Sequence, residues 1–416
     1  MDTALIVGVI LAAGLAFGEL ARRCRLPKVT GYIVAGICLN PHLLPLVPAA
    51  FPDRTDPVTH LALAFITFSV GGTLARDRLR RLGRTILSVT FFEAELAFAC
   101  VVLAFAALRL LRPGAFGIPA GAALPLSLLM GALACPTDPT ATLAVAHEYR
   151  ARGDVATTIM GVAAFDDAFG IVNYALATAI ARVLAAGGGF GPLDLAAGPA
   201  RAIGGGVLLG VFFGAALVAL TPLLRRETEG EIIVLMLALL GLCFGTAAAL
   251  GVDELLATMT FGAVVANFHP RRRRIFGLLQ RYTEELVFVL FFTLSGMHLD
   301  FGALAAGPVL VVLFVVARAA GKFGGAALGA RLSGAPEKVR RYVAPGLIPQ
   351  GGIVIGLALM MRGEPAFAPV ADTLISVVIG ATVIHEIAGP ALAGLALRKA
   401  GEIPAAGGSG PAGSEP

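Results

Sequence analysis

From residue 3 almost to its end, the chain repeats one pattern: a long apolar stretch, then a short link, many of the links rich in arginine. A helix crossing a bilayer needs about 20 such residues, because the backbone must satisfy its own hydrogen bonds in hydrocarbon. Candidate segments lie near residues 3–20, 28–47, 57–75, 86–109, 122–146, 156–182, 200–223, 231–249, 253–268, 284–299, 303–330, 342–361 and 369–397. The pattern predicts an all-α membrane protein of about 13 transmembrane helices. Only 14% of residues are charged and the mean hydropathy is +0.86, too little charge for a water-facing surface of 416 residues.

The links carry the sidedness. Threading the segments in alternation puts 24 of the 32 Lys and Arg on one side, six on the other, and Arg318 and Lys322 inside a span. By the positive-inside rule the N-terminus is expected outside and the C-terminus in the cytoplasm. The net charge of +5 is thus a topological signal, and nucleic-acid binding is not needed to explain it. The run Arg271–Arg274 reads as a cytoplasmic anchor suited to anionic lipids. The first apolar stretch lacks a basic leader and reads as a mature helix rather than a signal peptide. The five cysteines are scattered without metal-type spacing, and residues 403–416, rich in Gly, Pro and Ala, read as a disordered tail with no soluble domain expected after the membrane region.

Ionisable residues at membrane depth are costly and mark functional pathways. Here they are Glu93 and Glu95 in the fourth span, Asp138 in the fifth, Asp166 and Asp167 in the sixth, Arg318 and Lys322 in the eleventh, and Glu386 in the thirteenth. Glu93 is a further site candidate; Glu95 and Glu386 read as pairing or helix-end residues. His298 and His385, near span ends, read as interfacial. Two spans are also broken. Pro136 and Pro139 bracket Thr137-Asp138, and Pro349, Gly351 and Gly352 interrupt the twelfth span. Unwound backbone survives in a membrane only where it lines a cavity or is buried in protein, and paired interruptions in two halves mark a secondary-transporter site. The predicted picture is an inverted repeat whose two broken helices cross at the midplane. Asp138 faces the positive helix ends there and a cation such as Arg318 the negative ones.

Neighbouring buried carboxylates with a threonine hydroxyl and freed carbonyls suit a hard monovalent cation. A carboxylate that binds either the cation or a proton couples the two fluxes by competition alone. An intramembrane aspartyl protease also needs two buried aspartates, but the Gly-x-Gly-Asp signature is missing and the broken helices would have no purpose. The reading is a transporter, with neither enzyme chemistry nor a cofactor.

With these residues in view the chain resembles the monovalent cation:proton antiporter superfamily of sodium/hydrogen exchangers, most closely its bacterial NapA-like branch. The resemblance runs to about residue 402 and rests on Leu26–Gly36, Thr137-Asp138-Pro139, Asp166-Asp167, Phe291–Met297 and Pro349-Gln350-Gly351-Gly352. It implies one transporter unit over 1–402, with an interface domain (about 1–80 and 230–300) that forms a homodimer and a core domain (about 84–185 and 302–400). A linker helix at about 200–223 would join them, and the core would move as an elevator within a bacterial inner membrane. It implies Asp167 as the principal carboxylate for Na+ (or Li+) and H+, with Asp166 beside it and Thr137 and Asp138 completing the site; a K+/H+ exchanger or K+-efflux protein of the same fold is the alternative. The superfamily's basic position falls on Arg318, with Lys322 one turn later. If Arg318 holds Asp166 ionised, one proton exchanges; if Lys322 is the partner, a second proton enters and transport is electrogenic.

Overall fold

The computed structural model describes residues 3–24, 26–41, 43, 47–48, 51, 55–112, 118, 120–186, 192–221, 228–299, 301–302, 307–351, 354–355, 357–358, 361 and 365–403. Fifteen α-helices are assigned in them. The first four are α1 (Thr3–Arg23), α2 (Lys28–Cys38), α3 (Asp56–Thr73) and α4 (Arg76–Leu111). Then come α5 (Ala123–Ala134), α6 (Pro139–Glu148), α7 (Asp154–Ala186), α8 (Pro192–Leu220), α9 (Glu229–Leu250) and α10 (Glu254–Phe268). The rest are α11 (Arg272–Tyr282), α12 (Glu284–Met297), α13 (Pro308–Leu332), α14 (Glu337–Tyr342) and α15 (Ala368–Lys399). Among the described residues, eight helical stretches are long and apolar enough to cross a bilayer, counting α5 and α6 as one, and α2, α3 and α10 are shorter apolar helices. The tail beyond Ile403 and Gly352 lie outside the described residues.

Three departures from the sequence pattern have a clear physical reason. α2 stops at Cys38, short of the expected residue 47, because Asn40 and Pro41 end the helix and Asn40 Nδ2 donates to Leu299 O at 2.8 Å. α4 starts ten residues early, its arginine-rich first turns extending the helix beyond the apolar stretch. The link after residue 270 contains a helix, α11, whose Ile275, Leu278 and Leu279 are buried while Arg271–Arg274 are exposed. These three residues, at spacing i, i+3, i+4, form one apolar stripe, and the charges on the rest of the eleven-residue helix hide it from a hydropathy window. Glu402, at the edge of the expected tail, is buried; its carboxylate accepts from Val155 N and Ala156 N, both at 2.8 Å, and so caps the start of α7.

Apolar packing gathers in separate clusters. The largest is centred on α2, α3 and α8–α12, with Phe65, Phe68, Met236, Phe261 and Phe292 at its centre. Two others join α4–α7 to α13–α15, around Phe105, Leu133, Phe314 and Val377 in one and Ile86, Ile159 and Leu347 in the other. Within the second group α13 lies on α4 through Gly321, Gly325 and Gly329. A Cβ on any of them would collide with the backbone of Leu96–Ala97, Phe92–Glu93 or Ser88–Val89. Small residues every fourth position let two membrane helices touch backbone to backbone. This contact brings the only two basic residues of the α13 interior against α4.

Candidate ion site at the crossing of two interrupted segments

The sequence sets up the crossing locally. α5 ends at Ala134 because Pro136 and Pro139 cannot donate to a continuing helix. Cys135–Asp138 run without helix, and α6 restarts with Asp138 as N-cap, its Oδ1 accepting Thr140 N at 2.8 Å. The second interruption follows a short 3-10 turn, Ala344–Leu347, and its residues Ile348–Gly351 are likewise non-helical. The two unwound segments bond to each other: Asp138 N donates to Pro349 O at 3.0 Å, Thr137 Oγ1 to Leu347 O at 3.3 Å and Gln350 Nε2 to Leu133 O at 2.7 Å. Thr142 Oγ1 adds a bond to Gly346 O at 3.0 Å.

Freed carbonyls at such a crossing carry partial negative charge and need donors. Arg318 supplies them. Its Nε donates to Ala134 O at 3.0 Å, Nη2 to Pro136 O at 2.9 Å and Nη1 to Ile348 O at 2.7 Å, so one guanidinium ties both segments. It makes no ion pair among the described residues. Lys322, four residues on and on the same face of α13, holds the acids. Its Nζ donates to Cys135 O at 2.5 Å, Thr137 Oγ1 at 2.6 Å and Asp166 Oδ2 at 2.9 Å. Glu93 Oε2 lies 2.7 Å from the same nitrogen as an ion pair without a directed hydrogen bond, because the three ammonium hydrogens are already committed. Glu93, Asp166, Arg318 and Lys322 are all fully buried, which excludes water as their counter-charge. Asp166 Oδ1 and both oxygens of Glu93 have no donor. Such a cluster has acceptor capacity for one more positive charge, a proton or a small cation.

Thr137, Asp166 and Lys322 therefore come together as a unit, joined by Glu93. Pro136, Pro139, Pro349 and Gly351 all sit at the crossing; the side chain of Asp167, adjacent on α7, lies outside the described residues. Asp138 is placed at the crossing, but its side chain turns to Thr140 and toward Gly351 and Glu386 instead of to Lys322. Glu386, read from sequence as a bland span-end residue, is 5% exposed and its Oε2 has no partner. His385, expected at an interface, is also buried, because α15 continues fourteen residues past it, and its ring lies 6.5 Å from that of Phe314. Beside Lys322, Asn173 Nδ2 reaches Glu95 Oε1 at 3.1 Å and Cys135 Sγ at 3.2 Å. Gln350 lies in the Pro349–Gly352 motif that carries the resemblance, whereas the sequence offered no signal for Asn173 beyond its being an amide in apolar surroundings.

A cavity of about 1240 Å³ opens at the arginine-rich end of the bundle, between α2 and α12 on one side and α6 and α7 on the other. Its walls include Lys28, Tyr32, His147, Glu148, Glu285 and, deepest along α7, Met160. Met160 precedes Asp166 by six residues, about 9 Å along the helix.

A helical membrane protein whose two interrupted segments cross over buried, oppositely charged side chains has the build of a secondary transporter. The chain matches the transmembrane sodium/hydrogen exchanger family over residues 7–395, and it belongs to that family. It is similar to cation/H(+) antiporter 20 of Arabidopsis thaliana, 26% identical over 346 residues covering 78% of this chain and 40% of that protein. It is also similar to the glutathione-regulated potassium-efflux system protein KefC of Klebsiella pneumoniae, 27% identical over 86% of this chain and 56% of that protein. The chain thus spans about two fifths to somewhat over half of these relatives' length. Two structures of the sodium proton antiporter MjNhaP1 from Methanocaldococcus jannaschii share its fold, with TM-scores of 0.66 and 0.71. They are 18% and 17% identical and cover 95% and 96% of this chain, against 97% and 98% of theirs.

Proposed function

We propose that this protein exchanges protons for a monovalent cation across a membrane, with the buried cluster of Glu93, Thr137, Asp166, Lys322 and the adjacent Asp167 as the exchange site. The observation that carries the reading is the surplus of donor-free carboxylate oxygens around one ammonium. Two acids share Lys322, which leaves one net negative charge, and Asp167 adds another; a proton or a cation on these acids neutralises the cluster. Those two ligands compete for the same oxygens, and competition obliges the fluxes to run in opposite directions. Lys322 as partner of Asp166 supports the electrogenic version, since a lysine ammonium can release its proton when its acid binds a cation and arginine cannot. Arg318 holds the crossing together in either state.

The cavity at the arginine-rich end supports an inward-facing state: if that end is cytoplasmic, as the loop charges predict, the ion enters past Met160. In this proposal α4–α7 and α13–α15 carry the site as an elevator against α1–α3 and α9–α12, in a homodimer within a bacterial inner membrane. Sodium is the proposed ion. The second reading is potassium, favoured by the likeness to a potassium-efflux protein. Purified protein in liposomes with a preformed pH gradient tests both: addition of Na+, Li+ or K+ should collapse the gradient, faster when the membrane potential is clamped at zero than when the moved charge is left to build one up. A gradient insensitive to all three ions would defeat the proposal.

A further inference from the structure

We propose that Asp138 and Glu386 form a second cation-binding site, separate from the Lys322 cluster and centred above Gly351. The inference rests on the exchanger reading only for the nature of the cation, a monovalent one; the site itself stands on geometry. Asp138 comes from the N-cap of α6, Gly351 from the second interruption and Glu386 from the middle of α15, three stretches far apart in sequence. A Cβ placed on Gly351 would lie 2.5 Å from Asp138 Oδ2 and 3.0 Å from Glu386 Oε1. Both carboxylates therefore point at the same small volume, and only glycine leaves it empty.

The pair is buried, with Asp138 8% and Glu386 5% exposed, and among the described residues no basic side chain pairs with either. Arg318 is close to the crossing, but three of its five N–H groups serve the carbonyls of Ala134, Pro136 and Ile348, and the Lys322 ammonium lies on the other cluster. Two like charges facing each other inside a membrane protein are costly without a counter-charge. The donors present are few: the Thr140 amide bonds Asp138 Oδ1, and the Ser295 hydroxyl of α12 lies near Glu386. Glu386 Oε2 has none. A separate observation concerns Thr140, whose amide donates to the capping Asp138: the residue is 2% exposed and its Oγ1 has no hydrogen-bond partner. Two carboxylates and two hydroxyls make an all-oxygen donor set, which suits a hard cation and offers nothing to a soft metal. A purely structural contact would be met by an amide, which brings its own donor; two acids converging on one glycine fit a guest that supplies positive charge.

Equilibrium binding of radioactive sodium and rubidium to the purified full chain tests the site. Wild-type protein should saturate above one ion per protomer. Glu386→Gln should lower the saturating amount to about half, as should Asp166→Asn, with the losses additive for independent sites. Glu386→Asp should restore the wild-type amount. Gly351→Ala leaves every carboxylate in place and fills the volume, so it should mimic Glu386→Gln; it keeps the test decisive if Glu386→Gln fails to fold. Wild-type occupancy in both Glu386→Gln and Gly351→Ala overturns the proposal. The same holds if wild type binds one ion and Asp166→Asn alone removes it, a result that leaves the exchanger reading intact. Absence of cation-driven proton flux in a wild type that still binds the Glu386-dependent ion would sink the exchanger reading and leave this site standing.

Discussion

Lys322 and Asp166 are joined at 2.9 Å, while Arg318, one turn away on the same helix face, bonds only backbone carbonyls among the described residues. The two cations have divided the work of the crossing. One neutralises helix ends, the other holds titratable acids. Replacing them should therefore fail in different ways.

Lys322→Ala leaves two acids buried without a counter-charge, a change that costs about 3–5 kcal/mol. A large drop in melting temperature is expected, together with a displaced pH profile of proton flux. Arg318→Ala removes three charge-assisted bonds and should also lower the melting temperature, since each such bond contributes about 1.5–3 kcal/mol. Its residual flux should keep the wild-type pH profile. Thermal unfolding and flux measured across pH on both variants check the division; a shifted profile in Arg318→Ala alone would reverse the two roles.

Asp167→Asn should abolish cation-dependent proton movement in liposomes while leaving protein that elutes as wild type. Full exchange in that variant defeats the site assignment.

For Asp138→Asn, asparagine still accepts from the Thr140 amide as an N-cap, and the two residues cap helices about equally well. Stability should change by under about 1 kcal/mol while transport falls severalfold. An unfolded variant, or one with wild-type transport, would remove the charge of Asp138 from the mechanism.

His269, just beyond α10, gives a pH prediction on stability. Its Nδ1 accepts from Arg271 N at 3.0 Å and its Nε2 lies 3.1 Å from Thr221 Oγ1, so the proton sits on Nε2. Burial holds its imidazole below the ordinary value of 6.5. The folded state thus favours the neutral ring; its contribution is full above pH 6.5 and is lost as the pH falls through and below that value. His269→Gln should flatten the decline in melting temperature between pH 7 and 5. An unchanged slope would show that His269 is not responsible.

The class of this protein was legible residue by residue. Apolar stretches of membrane length can only be helices, and the prolines at 136, 139 and 349 had to break two of them. The candidate acids and bases were legible too, because so few charges lie at that depth. Pairing did not follow. Arg318 and Lys322 are four residues apart, on one face, and spacing along α13 cannot say which meets Asp166. Glu93 and Glu95 point to different sides of α4, and only the backbone contact through Gly321, Gly325 and Gly329 decides that Glu93 is the one held against Lys322. Glu386 reaches Asp138 across some 250 residues of chain by way of a glycine in a third segment. Helical periodicity fixes the direction of a side chain about its own axis; which neighbour waits in that direction is a property of how the helices pack.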